Sequence, residues 1–244
     1  MKCLIVIPSR MGSTRFPGKP LCMIAGKPMI EWVIGAASKV QNADIVVATP
    51  DQEIIDHVHK LGFKACLTSK DHATGTDRMA EVAEKIDADI YVNLQGDEPL
   101  IHLETIEACI QPLLDKTEVM VSSIYSEANE TECNDPSVVN VVTDQKSYAL
   151  YFSRHTIPYP RMPHNEPLKK HVGIYAMRRE PLLKYGAWPT GILERVESLE
   201  QLRFLENGIP IFMAPGIGTE LAVDTPEQAI LVNKILSNKS FENA

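Results

Sequence analysis

Between the first apolar run and the next helical pattern lies Pro8-Ser9-Arg10-Met11-Gly12-Ser13-Thr14-Arg15-Phe16-Pro17-Gly18-Lys19-Pro20. It holds two arginines, one lysine, two glycines and three hydroxyl side chains. Polyphosphate recognition asks for this mixture: glycines let backbone N–H groups approach phosphate oxygens, while Arg and Lys neutralise charge. Spacing excludes two familiar phosphate loops. A Walker A loop fails because Gly12 to Gly18 is one residue too long and Lys19 precedes Pro20, not a metal-binding Ser or Thr. A dinucleotide fingerprint fails because no G-x-G-x-x-G is present. The structural alternative, a surface turn with solvated cations, fits less well directly after a buried parallel strand.

Two aspartates complement this loop. Asp97 follows the apolar run Ile90 to Leu94, in Gln95-Gly96-Asp97-Glu98-Pro99. Asp224 follows Ala222-Val223 and stands just before Thr225. Both leave strand ends, where α/β sheets bind ligands. Magnesium bound to a triphosphate takes one or two protein carboxylates and keeps water and phosphate oxygens for the rest. Asp97 and Asp224 are therefore the candidate Mg2+ ligands, with Glu98 read as a turn neighbour. The alternatives are a Gly-Asp turn for Asp97 and, for Asp224, a carboxylate favouring a positive helix end.

Composition bounds the reading. The 244 residues are 44% hydrophobic, enough for one α/β domain or a domain with a sizeable subdomain. Lys and Arg total 24 against 32 Asp and Glu, a formal charge of -8. That balance argues against nucleic acid or an anionic membrane as the main partner. The five cysteines form no CxxC and several sit in apolar runs, so they read as reduced, mostly buried thiols. Lys2 is followed by a five-residue apolar run ending at Pro8, too short for a signal h-region or a span. The cytoplasm is the expected compartment.

The elements that must position these groups alternate regularly. Cys3 to Ile7, Ile45 to Ala48, Phe63 to Leu67 and Ile90 to Leu94 read as strands. Pro28 to Lys39 and Asp77 to Ile86 read as helices, and Thr49-Pro50-Asp51-Gln52 opens another with a capping box. Such alternation predicts a doubly wound, mostly parallel sheet. From about Val119 the pattern loosens. Val138 to Val142 and His171 to Met177 look like strands, Ile157 to Pro167 is irregular, and Gly191 to Asn207 reads as one strong helix. A strand at Ile211 to Ala214 precedes a second capping box at Thr225-Pro226-Glu227-Gln228. The expectation is a single domain: a nucleotide-binding half at about 1–118, a smaller mixed subdomain at about 119–215, and a return to the main sheet at 216–244.

The loop Ile7 to Pro20 resembles the opening of the 3-deoxy-manno-octulosonate (Kdo) cytidylyltransferases, the CMP-Kdo synthetases. The resemblance continues through Gly75-Thr76-Asp77-Arg78, Gln95-Gly96-Asp97-Glu98-Pro99 and Ala149-Leu150-Tyr151-Phe152-Ser153-Arg154. It extends through Lys170-His171-Val172-Gly173-Ile174-Tyr175, Leu199-Glu200-Gln201-Leu202-Arg203 and Val223-Asp224-Thr225. Each block alone is weak or moderate; together, in order, they span nearly the whole chain. The resemblance implies a nucleotide-diphospho-sugar transferase-like fold, CTP and Kdo as substrates, Mg2+ as cofactor and a homodimer. It implies Arg10, Ser13, Arg15 and Lys19 as contacts to CTP, Thr76 and Arg78 in the nucleotide pocket, and Asp97, Lys19 and Arg10 as catalytic. It places Arg154, His171, Tyr175, Glu200 and Gln201 around the sugar acid, with Gln95 nearby.

Structural alternatives stand beside these roles. His171 reads equally as a satisfied strand histidine, Tyr175 as core, and Glu200 as part of a solvated helix face. Five other histidines, His57, His59, His72, His102 and His164, show no ligand spacing and receive no role. Two positions depart from the family's usual pattern: Pro50 stands in Ala48-Thr49-Pro50-Asp51 where Asp is usual, and Asn140 in Val139-Asn140-Val141-Val142 where Lys is usual. The second puts the identity of the acid in question, with an amino-substituted Kdo as the related substrate. The product's destination, lipopolysaccharide or capsule, is open. A catalytically silent nucleotide-binding regulator is the rival from another class, and a dehydrogenase lacks the glycine fingerprint it needs.

Overall fold

The computed structural model describes all residues except 14, 163–164, 218–220 and 243–244. Thr14 and His164, both weighed above, lie outside the described residues. In chain order the strands are β1 (Cys3–Pro8), β2 (Met23–Ile24), β3 (Lys27–Pro28), β4 (Ala43–Thr49), β5 (Lys64–Leu67) and β6 (Ile90–Leu94). They continue with β7 (Val121–Ala128), β8 (Asn140–Thr143), β9 (Ala149–Ser153), β10 (Leu168–Arg178) and β11 (Ile211–Pro215). The helices are α1 (Met29–Ala37), α2 (Gln52–Lys60), α3 (Gly75–Lys85), α4 (Leu103–Asp115), α5 (Glu130–Cys133), α6 (Arg179–Ala187), α7 (Ile192–Glu197), α8 (Leu202–Glu206) and α9 (Pro226–Glu242).

The main sheet runs β11-β7-β10-β6-β1-β4-β5, with β8 and β9 attached beside β10. Strands β6, β1, β4 and β5 pair in parallel, whereas β10 lies antiparallel between β6 and β7. The fold is therefore α/β with a mostly parallel central sheet. Strand β1 is buried on both faces, and its alternation divides the core. Ile5 and Ile7 pack with Ile30, Val33, Ile54 and Ile106 on one side; Leu4 and Val6 pack with Met79, Val82, Tyr185 and Phe204 on the other.

Several expectations change in the structure. The second half is less separate than its loosened pattern suggested, because β7, β10 and β11 extend the same sheet. No strand forms after Pro215 among the described residues. Instead α9 buries Val232 and Leu236 against Ile24, Met29 and Leu100, closing a third apolar cluster over the β2–β3 hairpin. The capping box at Thr225 forms, with Gln228 Oε1 accepting from the N–H groups of Asp224 and Thr225 at 2.6 and 3.0 Å. The one expected at Thr49 does not. The Asp51 carboxylate accepts from the Met11 N–H at 2.7 Å and makes no cap to its own helix, so it pins the loop after β1.

The single helix expected over Gly191 to Asn207 is broken. Ser198 adopts a left-handed conformation, φ 54°, and separates α7 from α8. The break turns Glu200 and Gln201 inward, where Glu200 meets Thr76 of α3 and Gln95 just beyond β6, and Gln201 meets Tyr175 of β10.

Candidate active site

At the carboxyl ends of β1 and β6 the chain forms a cleft of about 260 Å³. Its walls include Arg10, Ser13, Arg15 and Lys19 from the loop after β1, Gln95, Gly96 and Asp97 after β6, and Asp224 before α9. Tight backbone approaches set its shape. A Cβ on Gly96 would lie 2.6 Å from Ser9 Oγ and 2.9 Å from the Pro8 carbonyl oxygen, so only glycine lets the end of β6 lie against the end of β1. The Val223 N–H donates to the Asp97 carbonyl at 2.8 Å, clamping the two aspartate-bearing segments together.

The charges in the cleft converge. Lys19 Nζ donates to Asp97 Oδ2 at 2.7 Å and to Asp224 Oδ1 at 3.2 Å. Arg15 pairs with the same Asp224 oxygen at 3.0 Å. Burial works against the Lys19 charge, yet the two carboxylates more than offset it and hold its pKa above the ordinary value. Arg10 lines the same cleft close enough to Arg78 for its charge, after burial, to lower the Arg78 pKa. Loop cations and strand-end carboxylates, distant in sequence, thus meet as the spacing implied. Hard carboxylate oxygens are the donor type a magnesium ion takes, and two suffice when phosphate supplies the others. Among the described residues no group of three or more His, Cys, Asp or Glu converges as a cation cage.

The wall opposite the loop comes from the segment before α3. Thr74 caps α3 by accepting from the Asp77 N–H, and the Asp77 carboxylate answers the Thr74 N–H. This capping box presents His72, Ala73, Thr74 and Gly75 to the cleft. His72, which received no role from the sequence, is therefore a lining residue, held by a 2.5 Å contact to Glu81. The one available signal was its position three residues before the Gly75-Thr76-Asp77-Arg78 block. Arg78 also lines the cleft, donating to the Thr68 hydroxyl and to the Ser69 carbonyl at 2.9 Å. Thr76 differs from expectation. It is buried behind the wall, its N–H donating to Glu200 Oε2 at 3.1 Å and its hydroxyl accepting from Asn93 at the same distance. One residue along a helix is a turn of about 100°, which points Thr76 away from the face that Gly75 presents.

Gln95 links the cleft to a second group of polar side chains. Its Nε2 reaches Glu200 Oε1 at 3.5 Å, and burial raises the Glu200 pKa against the hydrogen bonds it accepts. Tyr175 donates to Gln201 Oε1 at 3.1 Å, and the Tyr175 ring lies 5.4 Å from that of His171. A bulge in β10 between Val172 and Tyr175 sets this spacing, and Gly173 at the bulge sits against Gln95 and Glu98. His171 contacts Ser123 Oγ at 2.8 Å, and burial lowers its pKa to about 3, so it is neutral. Glu200 is thus no solvated helix residue. Gln201 Nε2 and Ser9 Oγ are buried without a hydrogen-bond partner among the described residues.

Arg154 is not brought to the cleft. Its guanidinium donates to the carbonyls of Glu197, Pro136 and Ser198 at 2.9, 3.1 and 3.4 Å. The broken helix leaves terminal carbonyls in need of donors, and Arg154 supplies them. Asn140 is fully buried and donates to the carbonyls of Cys133 and His155 at 3.0 and 3.1 Å. It pairs in register with Lys170, so its side chain lies across the sheet from that of the adjacent His171.

Comparisons with known proteins identify the family. The sequence profile described as Cytidylyltransferase matches residues 4–211. A 3-deoxy-manno-octulosonate cytidylyltransferase of Escherichia coli is 44% identical over 244 residues, covering 100% of this chain and 99% of its own. That of Trichlorobacter lovleyi is 46% identical, covering 93% and 95%. The solved structure of a CMP:2-keto-3-deoxy-manno-octonic acid synthetase complexed with CTP superposes with a TM-score of 0.95 at 43% identity, covering 98% of this chain and 100% of that one. The chain belongs to the cytidylyltransferase family and, within it, to the 3-deoxy-manno-octulosonate cytidylyltransferases.

Proposed function

We propose that the protein activates Kdo: its anomeric hydroxyl attacks the α-phosphorus of CTP, giving CMP-Kdo and diphosphate. The observation that carries this reading is the convergence of Arg10, Arg15 and Lys19 with Asp97 and Asp224 in one cleft. Direct displacement needs no protein nucleophile, because positioning and charge neutralisation carry nucleotidyl transfer. Arg10, Arg15 and Lys19 bind the triphosphate and stabilise the departing diphosphate. Ser13 and Arg78 contribute to the nucleotide pocket, with Thr76 supporting it from behind. Asp97 and Asp224 would hold Mg2+, which when bound polarises the α-phosphate and lowers the pKa of the attacking hydroxyl.

Gln95, His171, Tyr175, Glu200 and Gln201 bind the sugar acid in this reading, and Arg154 keeps that wall in shape. The groups there offer neutral and anionic hydrogen bonding suited to hydroxyls. Asn140, across the sheet, is no selector between Kdo and an 8-amino relative. The protein acts in the cytoplasm, supplying lipopolysaccharide synthesis; no helix among the described residues is long and apolar enough to cross a membrane. It works as a homodimer through its second half, where Tyr159 and Met162 are 83% and 73% exposed beside a groove lined by Val141, Pro158 and Leu168.

A screen of ulosonic acids against each nucleoside triphosphate with Mg2+, following diphosphate release, tests the reading. Turnover confined to CTP with Kdo supports it. Preference for another acid would reassign the substrate, and thermal stabilisation by CTP with no turnover on any acid would point to a silent regulator.

A further inference from the structure

Lys19 bridges the two aspartates of the cleft. The residue opens a single 3-10 turn, Lys19–Leu21, immediately after Gly18, whose φ of 74° turns the chain inward. Its side chain is only 13% exposed, and its ammonium lies within hydrogen-bonding distance of both aspartates. A magnesium ion bound by the same two carboxylates needs their oxygens at about 2.0–2.1 Å from one centre. The ammonium lies between those carboxylates, 2.7 Å from Asp97 Oδ2 and 3.2 Å from Asp224 Oδ1. An ion and the ammonium cannot share the space, and like charges at such range repel strongly. Without either, two carboxylates would face each other with only Arg15 to offset Asp224.

We propose that Lys19 is a tethered counter-ion that the divalent cation displaces, so that cation and nucleotide enter the cleft as one event. The triphosphate supplies the alternative partner for the released ammonium, since Lys19 lines the same cleft as Arg10 and Ser13. Metal then takes the carboxylates while phosphate takes the lysine. Each ligand removes the obstacle to the other, and such coupling is reciprocal. The proposal rests on the reading of Asp97 and Asp224 as metal ligands and adds the exchange.

Manganese binding by the full chain without nucleotide, followed by the electron paramagnetic resonance of the free ion, tests it. Lys19→Met is expected to bind Mn2+ tighter than wild type by on the order of tenfold, within the usual range of site coupling. Lys19→Gln serves as the second variant should the first fail to fold, and Asp97→Asn added to either should cancel the gain. A purely structural lysine would not improve metal binding when removed, so affinity equal to or weaker than wild type in the folded variants overturns the exchange. CTP affinity measured with and without Mn2+ separates the two readings. If Asp97→Asn keeps the full enhancement of CTP binding by Mn2+, the metal-ligand reading itself falls. If it loses that enhancement while the Lys19 variants gain nothing, the exchange alone falls.

Discussion

Arg203 on α8 donates to Asp77 of α3 at 2.7 Å, across 126 residues of sequence. The same guanidinium forks onto both oxygens of Glu194 at 2.6 Å and lies 4.0 Å from the centre of the Tyr185 ring. Asp77 also closes the capping box that shapes one wall of the cleft. The segment carrying Glu200 and Gln201 is thereby locked to the segment carrying the nucleotide wall.

Removing one partner of a buried ion pair leaves the other charge uncompensated, at a cost of about 3–5 kcal/mol. Glu194 and Arg203 are both buried, so Arg203→Met should lose stability in that range. Urea unfolding measures it, and a loss below ~1 kcal/mol would show that the network is dispensable.

Gly96 has no room for a side chain between Ser9 Oγ and the Pro8 carbonyl. Gly96→Ala must push β6 from β1 at the point where Asp97 leaves the sheet. The expected loss is about 1–3 kcal/mol, accompanied by weaker CTP binding in calorimetry. Unchanged affinity would mean that the strand-end geometry tolerates displacement.

His171 supplies a pH dependence. Its folded pKa, lowered by burial to about 3, lies below an unfolded value of about 6.5. Between those values the unfolded chain holds a proton that the folded chain does not. The stability contributed by neutral His171 is thus present above pH ~6.5 and lost as pH falls toward 3, at up to about 1.4 kcal/mol per pH unit. Unfolding free energies at pH 6 and pH 4 should fall more steeply for wild type than for His171→Gln. Parallel lines would show that His171 titrates normally.

Asn140, itself fully buried, donates to the carbonyls of Cys133 and His155. Asn140→Ala should therefore cost about 1–3 kcal/mol while leaving the ratio of kcat/KM values for Kdo and its 8-amino analogue unchanged. A shifted ratio would make this position a specificity determinant after all.

Much of the first half was legible because its signals are local. Continuous apolar runs become β1 and β6, and the glycines, cations and Asp97 that follow them reach one cleft, as strand-end placement requires. Less legible were features decided by distant partners. Ser198 breaks the helix expected at Gly191 to Asn207, and apolar periodicity carries no sign of the contacts that Glu200 and Gln201 make with Thr76, Gln95 and Tyr175. The capping box read at Thr49-Pro50-Asp51-Gln52 does not close, because the helix begins only at Gln52 and Met11 claims the Asp51 carboxylate. Arg154 has the charge an acid needs, but helix-end carbonyls visible only in the fold take its donors. His72 carries no motif of its own and enters the cleft because the α3 capping box turns its loop inward.

Asp97, facing Lys19 just beyond β6, belongs to the machinery of transfer in the proposed reaction and is not merely a turn residue. Diphosphate release from CTP and Kdo by Asp97→Asn, with thermal unfolding as the control for folding, tests it most directly. The expected result is a folded variant with turnover reduced by roughly a hundredfold to a thousandfold, as when a transition-state charge partner is lost. Near-normal diphosphate release by that variant would contradict it.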